Sequence, residues 1–178
     1  MHLTGARDIM ADPGTVWAAI LDPEVLKLCV PGCESMSGSV EDGFEAAVVQ
    51  KVGPVKARFT GTVTLSDLVV QQSLKITGEG KGGAAGFAKG GAQVTLEPIE
   101  GGTRLGYAAE AHVGGKLAQL GSRIIDGFAH KTADEFFTRF KDVVEGPAEP
   151  EPVAAETPAD DPSADGEKKK GWFRRIIG

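Results

Sequence analysis

The chain has 178 residues, of which 41% are hydrophobic, and this predicts one domain with a substantial core. Residues 1–145 hold 14 Lys and Arg against 18 Asp and Glu, so this body has no basic excess and its charge argues against nucleic-acid binding. No stretch approaches about 18 apolar residues, and the N-terminus lacks a charged start followed by an apolar run. The sequence therefore predicts neither a membrane span nor a secretory signal.

Two short helices are predicted after a first strand at residues 2–10. Asp12-Pro13 and Asp22-Pro23 each place a good N-cap residue before a proline, and proline is favoured at the first helical position. Pro31-Gly32 ends the second helix.

Residues 34–112 show no helical period and read as an antiparallel meander, because β-rich runs alternate with glycine-containing turns. Within residues 55–65, apolar side chains alternate with Lys, Arg and Thr, which predicts a sheet with one covered and one solvated face. The predicted strands are Phe44–Val52, Val55–Val69, Ser73–Gly78, Ala92–Pro98 and Thr103–Val113.

The segment Gly78–Gly83 has the G-x-G-x-x-G spacing of a dinucleotide-binding loop. That mechanism needs the third glycine to open a helix, whereas this chain continues with more glycines and then a strand. We interpret the segment as a long mobile loop between strands, with a flexible lip over a cavity mouth as the functional alternative.

Residues 115–144 are predicted to form the one long helix, because large apolar side chains recur there at helical spacing. Gly121 and Gly127 would each cost about 1 kcal/mol in its interior relative to alanine. Two explanations remain open: close packing on the sheet, or room for a ligand against the helix backbone. The order of elements, with helices gathered on one face of an antiparallel sheet, predicts an α+β fold.

The C-terminal part of the chain is strongly segregated in charge. Residues 146–167 hold seven acidic residues, no basic ones and almost no large apolar ones, which predicts a disordered linker. Residues 168–178 hold five basic residues and no acidic ones, and a helical wheel places the apolar side chains opposite both arginines. This predicts binding to anionic lipid, with docking in a groove of a protein partner as the alternative. The residues assigned to membrane binding are Lys168, Lys169, Lys170, Trp172, Phe173, Arg174, Arg175, Ile176 and Ile177.

Nothing among the cysteines and histidines predicts a metal or catalytic site. Cys29 and Cys33 cannot complete a structural zinc site alone, and His2, His112 and His130 show no ligand spacing. Free thiols in a cytoplasmic protein are the expected state. A nucleophilic Cys33 with a histidine base lacks any diagnostic spacing.

Several of these segments resemble the CoxG family of carbon monoxide dehydrogenase subunits, within the START/Bet v 1-like helix-grip (SRPBCC) superfamily. The resemblance covers residues 2–145, and the VPGC and VGPVKA segments are its more specific parts. It is carried by Asp12-Pro13 to Trp17, Leu21-Asp22-Pro23, Val30-Pro31-Gly32-Cys33, Lys51–Ala57 with Phe59 and Gly61, Gly102-Thr103 with Leu105, and Gly114–Gly121.

The resemblance implies a helix-grip fold, in which a curved sheet of seven strands wraps round a long C-terminal helix and leaves a ligand cavity. It also implies an accessory role beside a molybdenum-containing dehydrogenase of the carbon monoxide type. The family offers no catalytic motif, so we assign the cavity walls from the residues themselves. Expected on the helix side are Leu117, Leu120, Gly121, Ile124 and Phe128, and on the sheet side Phe59, Val63, Phe87 and Tyr107, whose hydroxyl would hydrogen-bond a ligand carbonyl.

The expected function is a non-catalytic carrier at the cytoplasmic face of the membrane. It would lift an apolar molecule, a membrane quinone, from the bilayer and offer it to the dehydrogenase, with no covalent cofactor. One alternative is a recruitment or assembly factor without a transported ligand. Another is an enzyme, since some helix-grip proteins are cyclases or hydrolases, but no titratable residues converge on the expected inner faces.

Overall fold

The computed structural model describes residues 1–146, in which one sheet of seven antiparallel strands curves round a long helix. The strands follow the order β1-β7-β6-β5-β4-β3-β2 across the sheet. The predicted linker beyond residue 146 and the predicted tail lie outside these described residues. The strands are β1 (His2–Ile9), β2 (Cys33–Ser39), β3 (Gly43–Val52), β4 (Val55–Val69), β5 (Ser73–Lys81), β6 (Phe87–Ile99) and β7 (Gly102–Gly114). The helices are α1 (Pro13–Ile20), α2 (Pro23–Cys29), α3 (Lys116–Gln119) and α4 (Ser122–Glu145).

The two proline-initiated helices form as their capping residues predict. The Asp12 side chain accepts a hydrogen bond from the Thr15 backbone N–H at 3.0 Å, and the Asp22 side chain accepts one from the Glu24 backbone N–H at 2.9 Å. Each cap satisfies a backbone donor that the first helical turn leaves free. Both helices therefore begin at the proline that follows the cap.

The sheet is longer in the middle than the sequence indicated, and the prediction of a long mobile loop at Gly78–Gly83 is wrong. Gly78 and Gly80 pair within β5, and only residues 82–86, which include a single 3₁₀ turn, separate β5 from β6. Because a strand follows that turn, the segment lacks the helix that a dinucleotide site needs. The edge strand β2, rich in serine and glutamate, carries no hydrophobic alternation and was not among the predicted strands.

Glycines in β4 and β6 mark where neighbouring backbones approach closely. A Cβ at Gly61 would collide with the Glu79 carbonyl oxygen, and one at Gly90 would collide with the Glu110 carbonyl oxygen. No side chain fits beside these carbonyl groups, so these strands can curl tightly only with glycine there.

The predicted single helix over residues 115–144 is two helices, broken at Gly121. This residue has φ +84°, a left-handed conformation that glycine adopts readily, and it lies between α3 and α4. Gly127 lies inside α4, but no heavy atom lies within 4 Å of the position that a Cβ would take at either glycine. Close packing on the sheet therefore explains neither residue.

The hydrophobic interior has two parts of unequal size. A large cluster joins α1, α2, the C-terminal half of α4 and the facing strands, and it includes the fully buried Phe44, Leu74 and Phe140. A small cluster at the other end of the sheet has Val52, Leu117 and Ile125 as its buried members. No helix in residues 1–146 combines the length and apolar character that crossing a membrane requires.

Candidate ligand cavity

A cavity of about 540 Å³ lies between the concave face of the sheet and α4. It extends from the small cluster at Leu117 to the large cluster at Phe140. Its lining is apolar apart from three side chains, those of Gln50, Tyr107 and Thr132. This volume is within the range of small-molecule sites in proteins, which are mostly apolar with a few polar groups.

The cavity exists because small residues occupy its walls where a packed core would hold large ones. Strand β6 presents Ala88 and Ala92, and strand β7 presents Ala109 and Ala111. Gly80 pairs with Ala88 in the same row across the sheet, and a Cβ there would meet only the Phe59 Cβ at 4.0 Å. The inner face thus curves round a space that its own side chains do not fill.

One continuous face of α4 forms the opposite wall. Its residues follow the i, i+3, i+4 spacing of a helix side that faces a single partner. The lining residues on α4 are Ile125, Phe128, Ala129, Thr132, Ala133, Phe136, Phe137 and Phe140.

Five residues expected from the sequence line this cavity. They belong to strands β4 and β7 and to helices α3 and α4, and the fold brings them together although they are far apart along the chain. They are Phe59, Val63, Tyr107, Leu117 and Phe128.

Phe87 does not line the cavity, and strand register is the reason. Phe87 pairs with Gly114 and lies on the outer face, where a Cβ on Gly114 would meet its ring. The next residue, Ala88, takes the inward position instead. Side chains alternate between the two faces of a strand, so the expectation was displaced by one residue.

Leu120, Gly121 and Ile124 do not line the cavity either, because the break at Gly121 changes the helical phase. Leu120 packs into the small cluster, while Gly121 is exposed with open space beside it. Ile124 is 41% exposed, and its neighbour Ile125 is the residue that faces inward.

The Tyr107 ring is held between β1 and α4. It stacks on Phe137 with 4.8 Å between ring centroids, and a Cβ at the paired residue Gly5 would lie 2.5 Å from the tyrosine hydroxyl oxygen. Gly5 therefore makes room for the ring. A hydrogen bond from Tyr107 to a ligand carbonyl stays a prediction.

Gln50 and Thr132 are the two polar lining residues that sequence reasoning missed. Gln50 Nε2 donates to the Pro31 carbonyl at 2.5 Å, which fixes the amide and leaves Oε1 without a hydrogen-bond partner in residues 1–146. Thr132 lies on the inner face of α4. The helical spacing of Thr132 from Phe128 and Phe136 was the available signal, and only its polarity concealed it.

The two thiols give the site no nucleophile. Burial raises the pKa of the Cys29 thiol to about 11, and burial also raises the pKa of Cys33. Both thiols are therefore protonated at neutral pH, whereas the thiolate is the reactive form. Within the described chain, no three His, Cys, Asp or Glu side chains are grouped so as to hold a metal ion.

A curved antiparallel sheet that grips a long helix around an apolar cavity defines the START-like helix-grip class of proteins. Residues 5–145 match the family model for CoxG, the G-type subunit of carbon monoxide dehydrogenase, and the chain belongs to this family. The family name associates its members with carbon monoxide dehydrogenase.

Solved structures support the same fold. A conserved protein from Geobacillus kaustophilus is 27% identical with a TM-score of 0.76, over 82% of this chain and 95% of that one. Proteins from Chromobacterium violaceum and Arthrobacter aurescens are 18% and 20% identical, with TM-scores of 0.60 and 0.58. The Chromobacterium match covers 82% of this chain and 99% of that one, and the Arthrobacter match covers 83% and 87%. No curated protein sequence matches the chain.

Proposed function

We propose that this protein is a non-catalytic carrier of an apolar small molecule, and that it serves a carbon monoxide dehydrogenase-type enzyme. The observation that carries the proposal is the cavity of about 540 Å³ with its apolar walls. Apolar surface moved out of water contributes about 25 cal/mol per Å², so such walls favour an apolar occupant. The described lining contains no acid, base or thiol, which supports binding rather than chemistry.

A membrane quinone is the ligand that best suits both the cavity and the family. It has a long apolar part and two ring oxygens, which correspond to apolar walls with few polar groups. Membership of the CoxG family supplies a partner that must pass electrons onward. A carrier that takes a quinone from the membrane to that enzyme joins these two facts.

The tail proposed for membrane attachment rests on the sequence of residues 168–178. Five basic residues would be attracted to anionic lipid by about 1 kcal/mol each, and four large apolar residues would enter the interface. Two weak signals of this kind together give reversible binding. The protein would then work at the cytoplasmic face of the membrane.

Solvent extraction of the purified full chain, followed by mass spectrometry, tests the ligand. We expect a quinone from the wild-type protein and none from an Ala109→Leu variant purified identically, because the larger side chain fills the cavity. Equal amounts of the same quinone from both proteins would mean that it binds elsewhere. An extract without any apolar molecule, from a protein that also binds no added quinone, would favour the recruitment or assembly role.

Sedimentation with liposomes tests the tail. Trp172→Ala with Phe173→Ala should weaken binding at every salt concentration. Replacing Lys168, Lys169 and Lys170 with Gln should weaken binding and remove most of its salt sensitivity, since surface charge is screened over about 10 Å at 0.1 M salt. A protein of residues 1–146 is the matched control and should not sediment. Capture of a protein partner through the tail, without binding to liposomes, would replace the membrane by a docking groove.

A further inference from the structure

A second, open hollow of about 420 Å³ adjoins the cavity on the outer side of the molecule. It lies between the turn that joins β3 to β4 and the N-terminal half of α4. Three residues, Gln50, Phe128 and Thr132, line both the hollow and the cavity, so only their side chains separate the two spaces. The remaining hollow residues are Lys51, Gly53, Ile124, Gly127, Lys131 and Glu135.

The two sides of this hollow are weakly joined. Within residues 1–146, no hydrogen bond or ion pair links residues 50–57 to α4. The contact is made by Ile124, whose Cγ2 lies 3.4 Å from the position of a Cβ on Gly53. The opposite end of α4 is tied to β1, where Arg7 and Asp134 form an ion pair at 2.6 Å and the Met10 backbone N–H donates to Glu145 at 2.9 Å. The N-terminal half of α4 can therefore part from the β3–β4 turn at less cost than its C-terminal half can leave β1.

The hollow has a polar and cationic character that the cavity lacks. Lys131 lies 3.8 Å from Glu135, while Lys51 has no ion-pair partner in the described part of the chain. Gln50 Oε1 and the Thr132 hydroxyl are at the boundary between hollow and cavity. Together these groups offer hydrogen bonds and positive charge to oxygen atoms, and nothing comparable is present deeper among the phenylalanines.

We infer that this hollow is the entrance of the cavity and holds the oxygen-bearing end of an amphipathic ligand, whose apolar part lies inside. The inference rests on the proposed function, because it requires the cavity to bind an apolar molecule. It adds a direction to that binding. The ligand enters apolar end first between Gly53 and Ile124, and its oxygens remain at Gln50 and Thr132.

A reversible lock tests the entrance. Gly53→Cys with Ile124→Cys, in a Cys33→Ser background, places two sulfurs where the side chains already meet, and a disulfide needs Cβ atoms about 3.5–4.5 Å apart. The protein is loaded with 16-doxylstearate and oxidised, and release to phosphatidylcholine vesicles is followed by electron paramagnetic resonance. We expect release at least tenfold slower than in the same protein after reduction. Ile124→Trp, with the exposed His130→Trp as its control, should slow release without any new bond.

The direction of binding is tested with two nitroxide probes of equal length. The label of 5-doxylstearate lies near the carboxylate and should broaden the backbone amide NMR signals of Gly53 and Lys131. The label of 16-doxylstearate lies near the methyl end and should broaden those of Val94 and Leu105, which line the inner part of the cavity.

The outcomes separate the two proposals. If the wild-type protein binds neither probe, the proposed function fails and the entrance fails with it. If both probes bind but broaden the signals in the reverse pattern, or if neither the lock nor Ile124→Trp slows release, the entrance is overturned and the carrier function stands.

Discussion

The two ends of this molecule use the same sheet and the same helix in opposite ways. At one end, the large cluster fills the space between sheet and α4 with residues such as Phe44, Leu74 and Phe140, all essentially without solvent exposure. At the other end, alanines and glycines face the helix and the small cluster is built on Val52, Leu117 and Ile125. Burial of large side chains dominates folding stability, while unfilled apolar space lowers stability and is available to a ligand.

The first prediction compares one chemical change at the two ends. Leu74→Ala should cost about 4 kcal/mol in the free energy of unfolding, because it opens a cavity in a packed region. Leu117→Ala should cost about 2 kcal/mol, because Leu117 already borders open space and loses fewer packing contacts. Urea denaturation of both variants measures the difference. Equal losses would mean that the two ends are equally packed.

The second prediction uses two adjacent residues of β7 that face opposite sides. Ala109→Leu points into the cavity and should weaken binding of 16-doxylstearate at least tenfold, with little loss of stability because the new side chain enters open space. Ala108→Leu points outward from the same strand and should leave binding unchanged. Equal binding by both variants would place the ligand outside the cavity.

The third prediction concerns alkaline pH at the packed end. Burial raises the pKa of Cys29 from 9.0 to about 11, so the unfolded chain loses this proton first. Stability from this group is complete below pH 9 and should fall as the pH rises from about 9 to 11. Cys29→Ala should flatten the decline of the unfolding free energy over this range. An identical decline in both proteins would assign it to other groups.

The smallest effect is expected at the cap of α1, which closes the packed end. Hydrogen bonds from Thr15 lower the pKa of Asp12 below 3.8, so its contribution to stability is present above that pH and is lost as the pH falls through the folded value. Asn also caps helices but does not titrate. Thermal melts of Asp12→Asn should therefore depend slightly less on pH below about 4 than melts of the wild type. A steeper dependence in the variant would contradict the role of this carboxylate.

Sequence reasoning succeeded where one local rule decides the structure. Asp-Pro pairs start α1 and α2, and alternation in residues 55–65 places Phe59 and Val63 inward. It failed where a single residue changes the phase of everything after it. The left-handed Gly121 moved the inner face of α4 from Ile124 to Ile125, and the register of β6 placed Ala88 inside instead of Phe87.

The cavity itself was harder to read because its walls are made of residues that carry no signal. Ala109 and Ala111 share a strand face with Tyr107 and Val113, yet alanine is common in every kind of structure. Their meaning comes from the pairing of β6 with β7 and from the position of α4, both of which are long-range features. Thr132 was missed for a related reason, since a polar residue on an apolar helix face reads as an interruption.

The alanine lining gives this fold a simple route to new ligands. Each alanine is a short step from valine, and each such step takes a little volume from the cavity without touching the large cluster that holds the fold together. Related chains could therefore accept longer or shorter occupants through a few methyl groups while sheet, helix and topology stay constant. The walls act as an adjustable gauge, and the alanine positions are where differences in ligand preference between relatives should be sought first.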